Sequence, residues 1–511
     1  MAKQTRPAKP AAHQPKPNAE HSNQGQLPAA VADFFQNVQM QALAIFIFAC
    51  LLYANTLRHQ FVMDDAIVIT DNMFTTKGAS GIGGILTEDT FFGFFKERGK
   101  EALVSGGRYR PLTLVIFALL WQVTHGPFAF HLLTVVLFGA CCVVLFKTLR
   151  QLLDNQSFVL ANYVPFFATI LFAAHPIHTE VVANIKGCDE ILTLLLSLGA
   201  LFFALKSARE NSTKGNMLAA GLLFLAMLSK ENAVTFLGII PLALGLFTEI
   251  GWGKSLARTV PFFVAFAVFF AIRTSILGFH FGAEPMELMN NPFLKLVNGE
   301  WVKFAPIERF STIFYTLGKY VMLLFFPLTL THDYYPRHVD IMQLGNPAVL
   351  GSILLYVALG YLAVVNFTKN RVVSFSILFF IFTLSIVSNI VFPVGTNMGE
   401  RFAFMPSVGF CLLVSFLLFS WFKNGKNLST PMVLTGIVTL LFSIKTITRN
   451  PVWESNDRIF LTDIKTSKNS AKLCNAAGGT LVDGAFKEKD EAKKSAMLAE
   501  AAIHLNNAIK I

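Results

Sequence analysis

Charge is scarce in this chain. Asp, Glu, Lys and Arg make up only 14% of its 511 residues, against about 25% in a soluble domain. That shortage excludes an ordinary water-soluble globular protein. Acids are scarcer than bases, 31 against 42. Cysteine is sparse too, at six. Cys50, Cys141, Cys142 and Cys411 fall in apolar segments, Cys188 and Cys474 outside them, with no metal-ligand or disulfide-scaffold spacing. A Cys188–Cys474 bridge is left open and has no support. Residues 1–36 contain no short apolar stretch followed by a small-residue cleavage site, so a cleaved signal peptide is not expected. They carry Lys3, Arg6, Lys9 and Lys16 among Pro, Ala, Gln and Asn, with Glu20 and Asp33 the only acids. That composition cannot build a core and reads as a disordered basic cytoplasmic tail. The excess of base therefore speaks of membrane orientation, not of nucleic-acid binding.

Apolar residues are what the chain has in quantity: 54% are hydrophobic and 52 are Phe. Runs of about 18 apolar residues or more recur along the chain. The expected fold is all-α, a polytopic membrane protein with about 11 transmembrane helices. The crossings are expected at 40–57, 128–150, 161–176, 187–206, 216–229, 233–249, 257–277, 347–367, 373–391, 404–422 and 429–447. With the basic tail inside, the short basic connections "KSARENSTK", "GWGKSLAR", "TKNR" and "KNGKN" all fall on the cytoplasmic side. Counting 309–330 as a crossing would move two of them outside. That segment is therefore expected to lie along the membrane or re-enter from the outer face, and 110–123 to be an interfacial helix. The membrane domain then runs over 37–449, with 58–127 as its first outer loop. Residues 450–511 form an outer-face helical segment. There "NSAKLCNAAGGTLV" and "MLAEAAIHLNNAIKI" read as two helices separated by "DGAFKEKDEAKKSA". The second helix resembles that of a tetratricopeptide (TPR) repeat, and one such hairpin cannot bury its apolar face alone.

The unusual polar stretches all fall at the outer ends of the expected crossings. They are "FVMDDAIVIT" with Asp64 and Asp65, "GGRYRP" with Arg108 and Arg110, "HPIHTE" with His175, His178 and Glu180, "KGCDE", "LSKEN" with Lys230 and Glu231, "THDYYPRH", and "GTNMGERF" with Glu400 and Arg401. Unrelated loops would divide between the two sides, so the common side points to one polar cavity opening outward. Each stretch also has a bland reading. The aspartates would be a solvated helix end, and His175 with His178 a hydrogen-bonded cap in place of ligands to a divalent metal. Lys230–Glu231 and Glu400–Arg401 would be local ion pairs, and Arg108 and Arg110 would snorkel to headgroups.

The chain resembles the transmembrane and tetratricopeptide-repeat-containing O-mannosyltransferases and their bacterial relatives, which have a GT-C glycosyltransferase fold. The matching text, in order over about residues 40 to 511, is "FVMDD", "YRPLT", "HPIHTEVV", "LSKE", "SNIVFPVGTNMGERFAFMPSVGFCLL" and "NSAKLCNAAG". It departs at Gly187, Cys188, Asp189, Glu190, where the family has Gly-Arg-acid; the missing basic contact is lost or passes to Lys186. The resemblance implies a sugar, mannose in the family, carried on a polyprenyl phosphate. It is moved outside the cytoplasm to a Ser or Thr hydroxyl of a protein, or in some branches to a lipid or glycan. The acceptor hydroxyl then needs a carboxylate base, an oxocarbenium-like transition state favours a negative pocket, and the departing phosphate needs cations. Asp64 as base with Asp65 positioning the acceptor, or the reverse, fits an inverting displacement. Lys230 and Arg401 lead as phosphate contacts, with Arg110 next, and His175, His178, Glu180, Glu231 and Glu400 line the cavity. Short loops favour a bacterial inner membrane and a periplasmic site; in a eukaryote the face would be the endoplasmic reticulum lumen. A secondary transporter and a non-catalytic scaffold are the rival readings.

Overall fold

The structure is a computed structural model; it describes residues 29–100, 107–278, 288, 291–422 and 428–511. Among the described residues it is mostly helical, with one antiparallel hairpin of β1 (Leu294–Val297) and β2 (Glu300–Lys303). The chain is a membrane protein. Among the described residues five helices are long and apolar enough to cross a bilayer, and six if a pair bent by 53° at 175 is taken as one span. Six shorter apolar helices of 10–17 residues accompany them.

Helix α1 (Ala29–Gln36) occupies the last eight residues of the segment expected to form no structure. Phe35 stacks on Tyr163 at 4.2 Å and Phe34 meets Phe166 edge-on at 5.3 Å, which ties this end down. The remainder of the tail, residues 1–28, lies outside the described residues, as do Gly106 and "KNGKN". Helix α2 (Val38–Leu52) follows, and the first loop carries the short helices α3 (Ile82–Thr87) and α4 (Thr90–Phe95) and then α5 (Pro111–Trp121). The bundle continues through α6 (Pro127–Leu153), α7 (Phe158–Ala174), the single turn α8 (Thr179–Val182), α9 (Cys188–Arg209), α10 (Thr213–Ser229) and α11 (Phe236–Phe247). Next come α12 (Gly251–Arg258), α13 (Val260–Leu277), α14 (Pro306–Phe325), α15 (Pro347–Lys369), α16 (Arg371–Ser385), α17 (Ser407–Phe422) and α18 (Ser429–Arg449). Each of the eleven apolar segments expected to cross is helical over most of its length.

One core joins α2, α6, α7, α9, α10, α11, α16 and α17. Tight packing there requires Gly409, whose Cβ would lie 2.5 Å from the Ser376 carbonyl oxygen. Helices at the periphery show the reverse pattern. Leu354, Val357 and Val364 on α15 and Leu440 and Leu441 on α18 are more than half exposed, which water would penalise and lipid favours. Helix α14 is not among the helices apolar enough to cross. It runs alongside α15, the Phe314 carbonyl accepting from Ser352 and the Leu317 carbonyl from Tyr356.

The C-terminal segment forms α19 (Asn456–Asp463), α20 (Ala471–Lys487) and α21 (Glu491–Lys510). The expected charged connection is mostly helical, and the chain turns only at 488–490, where Asp490 caps α21. This hairpin is docked on the bundle. Ser470 donates to Asp333 at 2.7 Å and Thr331 meets Ser467 at 2.9 Å, while Leu473, Cys474 and Ala477 pack with Ile464. All six cysteines are free thiols. Cys188 and Cys474 lie in different hydrophobic clusters, so the bridge left open above does not form.

Candidate active site

Asp64 and Asp65 share a turn but not an environment. The turn bends through Met63 at φ 48°. Asp65 is fully buried. One of its oxygens accepts from the Val62 amide at 2.9 Å, the other from the Lys186 amide at 2.8 Å. It thereby pins the 62–65 turn to the 184–187 turn, which is possible because Gly187 passes within van der Waals distance of Val181: a Cβ there would lie 2.1 Å from the Val181 carbonyl oxygen. Burial pushes the Asp65 carboxyl up to about 7, against the two amides. Asp64 is half-buried; its backbone carbonyl accepts from Ile67 at 3.0 Å and Val68 at 3.3 Å, which leaves its carboxylate to the surrounding charges. Burial opposes its ionisation too, but Lys186, Arg108 and Arg401 outweigh this and hold it below the usual carboxylate range.

Around Asp64 the charged groups interlock. The Arg110 guanidinium grips Glu231 with Nε at 3.0 Å and Nη2 at 2.8 Å and reaches Asp189 with Nη1 at 2.8 Å. The Lys186 ammonium stands 3.4 Å from the same Asp189. Lys230 pairs with Glu190, which also accepts from Asn232. Arg401 pairs with Glu180 through its side chain and its own amide, the latter at 2.8 Å. Lys230–Glu231 and Glu400–Arg401 are therefore not local ion pairs. Lys230 is extended where α10 ends while Glu231 starts the next turn, so their side chains diverge.

Arg108 differs from the other cations. Its amide donates to Asp89 at 3.0 Å and its guanidinium lies over the Phe91 ring at 4.6 Å. It has no ion pair among the described residues, and Nη1 is buried without a partner. With Arg110, Lys186 and Asp189 it lines a small cavity closed by Val68, Leu114 and Phe117.

His175 and His178 are both buried and hydrogen-bonded. The Nδ1 of His175 accepts from Ile177, so Nε2 carries the proton given to the Leu324 carbonyl at 2.9 Å. The Nε2 of His178 meets Ser407 at 2.9 Å. No group of three His, Cys, Asp or Glu side chains that could hold a metal exists among the described residues. Glu400 is buried and accepts from the Thr331 amide at 2.6 Å and the Tyr334 hydroxyl at 2.9 Å; burial pushes it up to about 8, opposed by Arg449 and reinforced by Glu180.

Several positioning groups escape sequence reasoning. Met63 donates to Asn456 at 2.8 Å and Gln60 to the Glu454 carbonyl at 3.0 Å, while Trp453 is buried against Val62 and Ala183. Asp463 takes both Arg449 nitrogens, at 2.6 and 2.7 Å, together with His332 at 2.9 Å. The stretch after α18 thus clamps the aspartate turn from outside. Nothing in the spacing of these residues signals such long-range partners.

No protein-family model matches the chain. Protein O-mannosyl-transferase TMTC1 of Homo sapiens is 28% identical over 467 residues, covering 83% of this chain and 51% of that protein. Protein O-mannosyl-transferase TMTC3 of Homo sapiens is 28% identical over 458 residues, with 84% and 48% covered. Protein O-mannosyl-transferase F38B6.6 of Caenorhabditis elegans is 27% identical over 449 residues, with 86% and 59% covered. The chain spans about half the length of the curated relatives it matches.

Proposed function

From this homology with the transmembrane and tetratricopeptide-repeat-containing O-mannosyltransferases, and from the site's geometry, we propose that the chain transfers mannose from a polyprenyl-phosphate donor to a Ser or Thr hydroxyl. Asp64 carries the reading. It is the one carboxylate in the network that is ionised, accessible and not held by a hydrogen bond among the described residues, as a general base must be. Asp65 holds the turn rather than the acceptor.

The acceptor oxygen attacks the anomeric carbon as Asp64 takes its proton, and the bond from that carbon to the phosphate oxygen breaks with inversion, releasing the polyprenyl phosphate. The phosphate leaves toward Arg108, the cation of the cluster that is paired with no acid among the described residues. Arg401, with its side chain one-third exposed, stands second. Lys230 and Arg110 are neutralised by acids and serve to shape the pocket. An apolar groove of about 960 Å³, lined by Leu324, Phe325, Phe380, Phe410 and Leu413 among others, suits the donor's hydrocarbon chain. Its Leu324 carbonyl receives the His175 bond, which links the groove to the segment bearing Glu180.

The test is sugar transfer from a mannosyl polyprenyl phosphate to a Ser/Thr-rich peptide by wild type and by Asp64→Asn at equal membrane abundance. Loss of about 10²–10⁴-fold in turnover is expected, and wild-type turnover by the variant overturns the reading. For the outer-face orientation, a cysteine at exposed Asp340 should react with an impermeant thiol reagent from outside. Labelling only from inside overturns it.

A further inference from the structure

At the opposite ends of the helices that carry the site is a second charged recess. Helix α9 starts beside Asp189 and Glu190 and ends at Lys206 and Arg209, about 28 Å further on at 1.5 Å per residue. That is close to the hydrocarbon thickness of a bilayer, about 30 Å. The recess lies at that far end, between the C-terminal turns of α6 and α9 and the first turns of α2 and α7.

Its volume is about 770 Å³, and Lys147, Arg150, Lys206 and Arg209 face Asp154 and Glu210 across it. The charges do not cancel. Arg209 spends its guanidinium on Asp154, at 2.5 and 3.0 Å, and on the Gln151 carbonyl at 2.7 Å. Lys206 stands 3.8 Å from Glu210. Lys147 and Arg150 have no acidic partner among the described residues, and Arg150 Nη1 is buried without an acceptor. A buried guanidinium N–H left unpaired is costly. Half-buried Arg150, its guanidinium 5.9 Å from the Phe146 ring centre, and exposed Lys147 therefore leave an uncompensated positive charge in the recess, which an anion would offset.

We propose that this recess binds the phosphate of an anionic phospholipid headgroup, taken from the leaflet opposite the transfer site. The phosphate sits between Lys147 and Arg150, while Val38 and Phe202 offer apolar contact to the start of the acyl chains. Basic recesses between membrane helices at headgroup level suit such lipids, and the depth along α9 puts this one at that level. Neither lysine nor arginine belongs to the transfer site, so the proposal stands or falls independently of it.

The experiment measures binding to the full chain in neutral detergent of dioctanoyl phosphatidylglycerol, dioctanoyl phosphatidylcholine and inorganic phosphate. Tighter binding of the glycerol lipid than of the choline lipid is expected. Lys147→Gln, which alters only an exposed side chain, should weaken it about fivefold, the effect of one surface cation. Lys147→Gln with Arg150→Gln should abolish the preference. Inorganic phosphate competing at millimolar concentration supports the anion site with a soluble source. Equal binding of both lipids, or undiminished preference in the double variant, overturns the proposal.

Discussion

Asp65 and Lys186 lie 121 positions apart in the chain, yet the carboxylate of one accepts the backbone N–H of the other at 2.8 Å. This contact turns two loops into one rigid floor beneath Asp64. Asp65→Asn keeps one acceptor oxygen and leaves one buried amide unpaired, at about 1–3 kcal/mol. The expected result is a lower thermal midpoint for Asp65→Asn than for Asp64→Asn. The reverse order would refute the division of labour.

Lys186 is the strongest of the cations that offset the burial of Asp64. Because they hold the Asp64 carboxyl down, its base form should persist to pH values below the ordinary carboxylate range. Lys186→Met raises that affinity for a proton, so the acid limb of kcat/KM should move to higher pH. An unmoved limb assigns the base elsewhere.

Glu400, pushed up to about 8, favours its protonated form in the fold. A raised carboxyl contributes stability that is complete below the unfolded value of about 4.3 and is lost as pH climbs through the folded one. Wild-type stability should therefore fall as pH rises from about 4.3 to about 8, with Asp65, pushed up to about 7, contributing in the same direction. Glu400→Gln mimics the neutral acid and should fall less. Parallel curves would exclude this role.

Asn456 holds Met63 from outside the turn. Asn456→Leu removes the acceptor at an exposed position, whereas Asn456→Asp retains it. Turnover should drop several-fold in the first with donor KM unchanged, and return in the second. A drop in both, or in neither, would mean that the contact does not set Asp64's position.

The legible part of this protein was whatever depends on local composition. Apolar runs marked the helices because a buried backbone must satisfy its own hydrogen bonds, and "HPIHTE", "FVMDD" and "GTNMGERF" marked charged groups that the fold brings into one candidate site. The partners were not legible. Neighbours such as Lys230 and Glu231 looked like pairs, but a change of backbone conformation between them sends one side chain to Glu190 and the other to Arg110. The C-terminal hairpin, with an apolar face it cannot bury alone, suggests docking, but only the structure shows that Asn456 bonds the Met63 amide and Asp463 joins Arg449 and His332.

The sequence by itself determined a helical membrane protein, its apolar segments, and the roster of charged groups available to its site. Tertiary structure alone decided which aspartate is tied to the backbone, which arginine keeps a free nitrogen, and which cations are already neutralised. The reason is that a charge's reactivity depends on what lies within a few ångströms of it, and those neighbours here come from helices far apart in the chain.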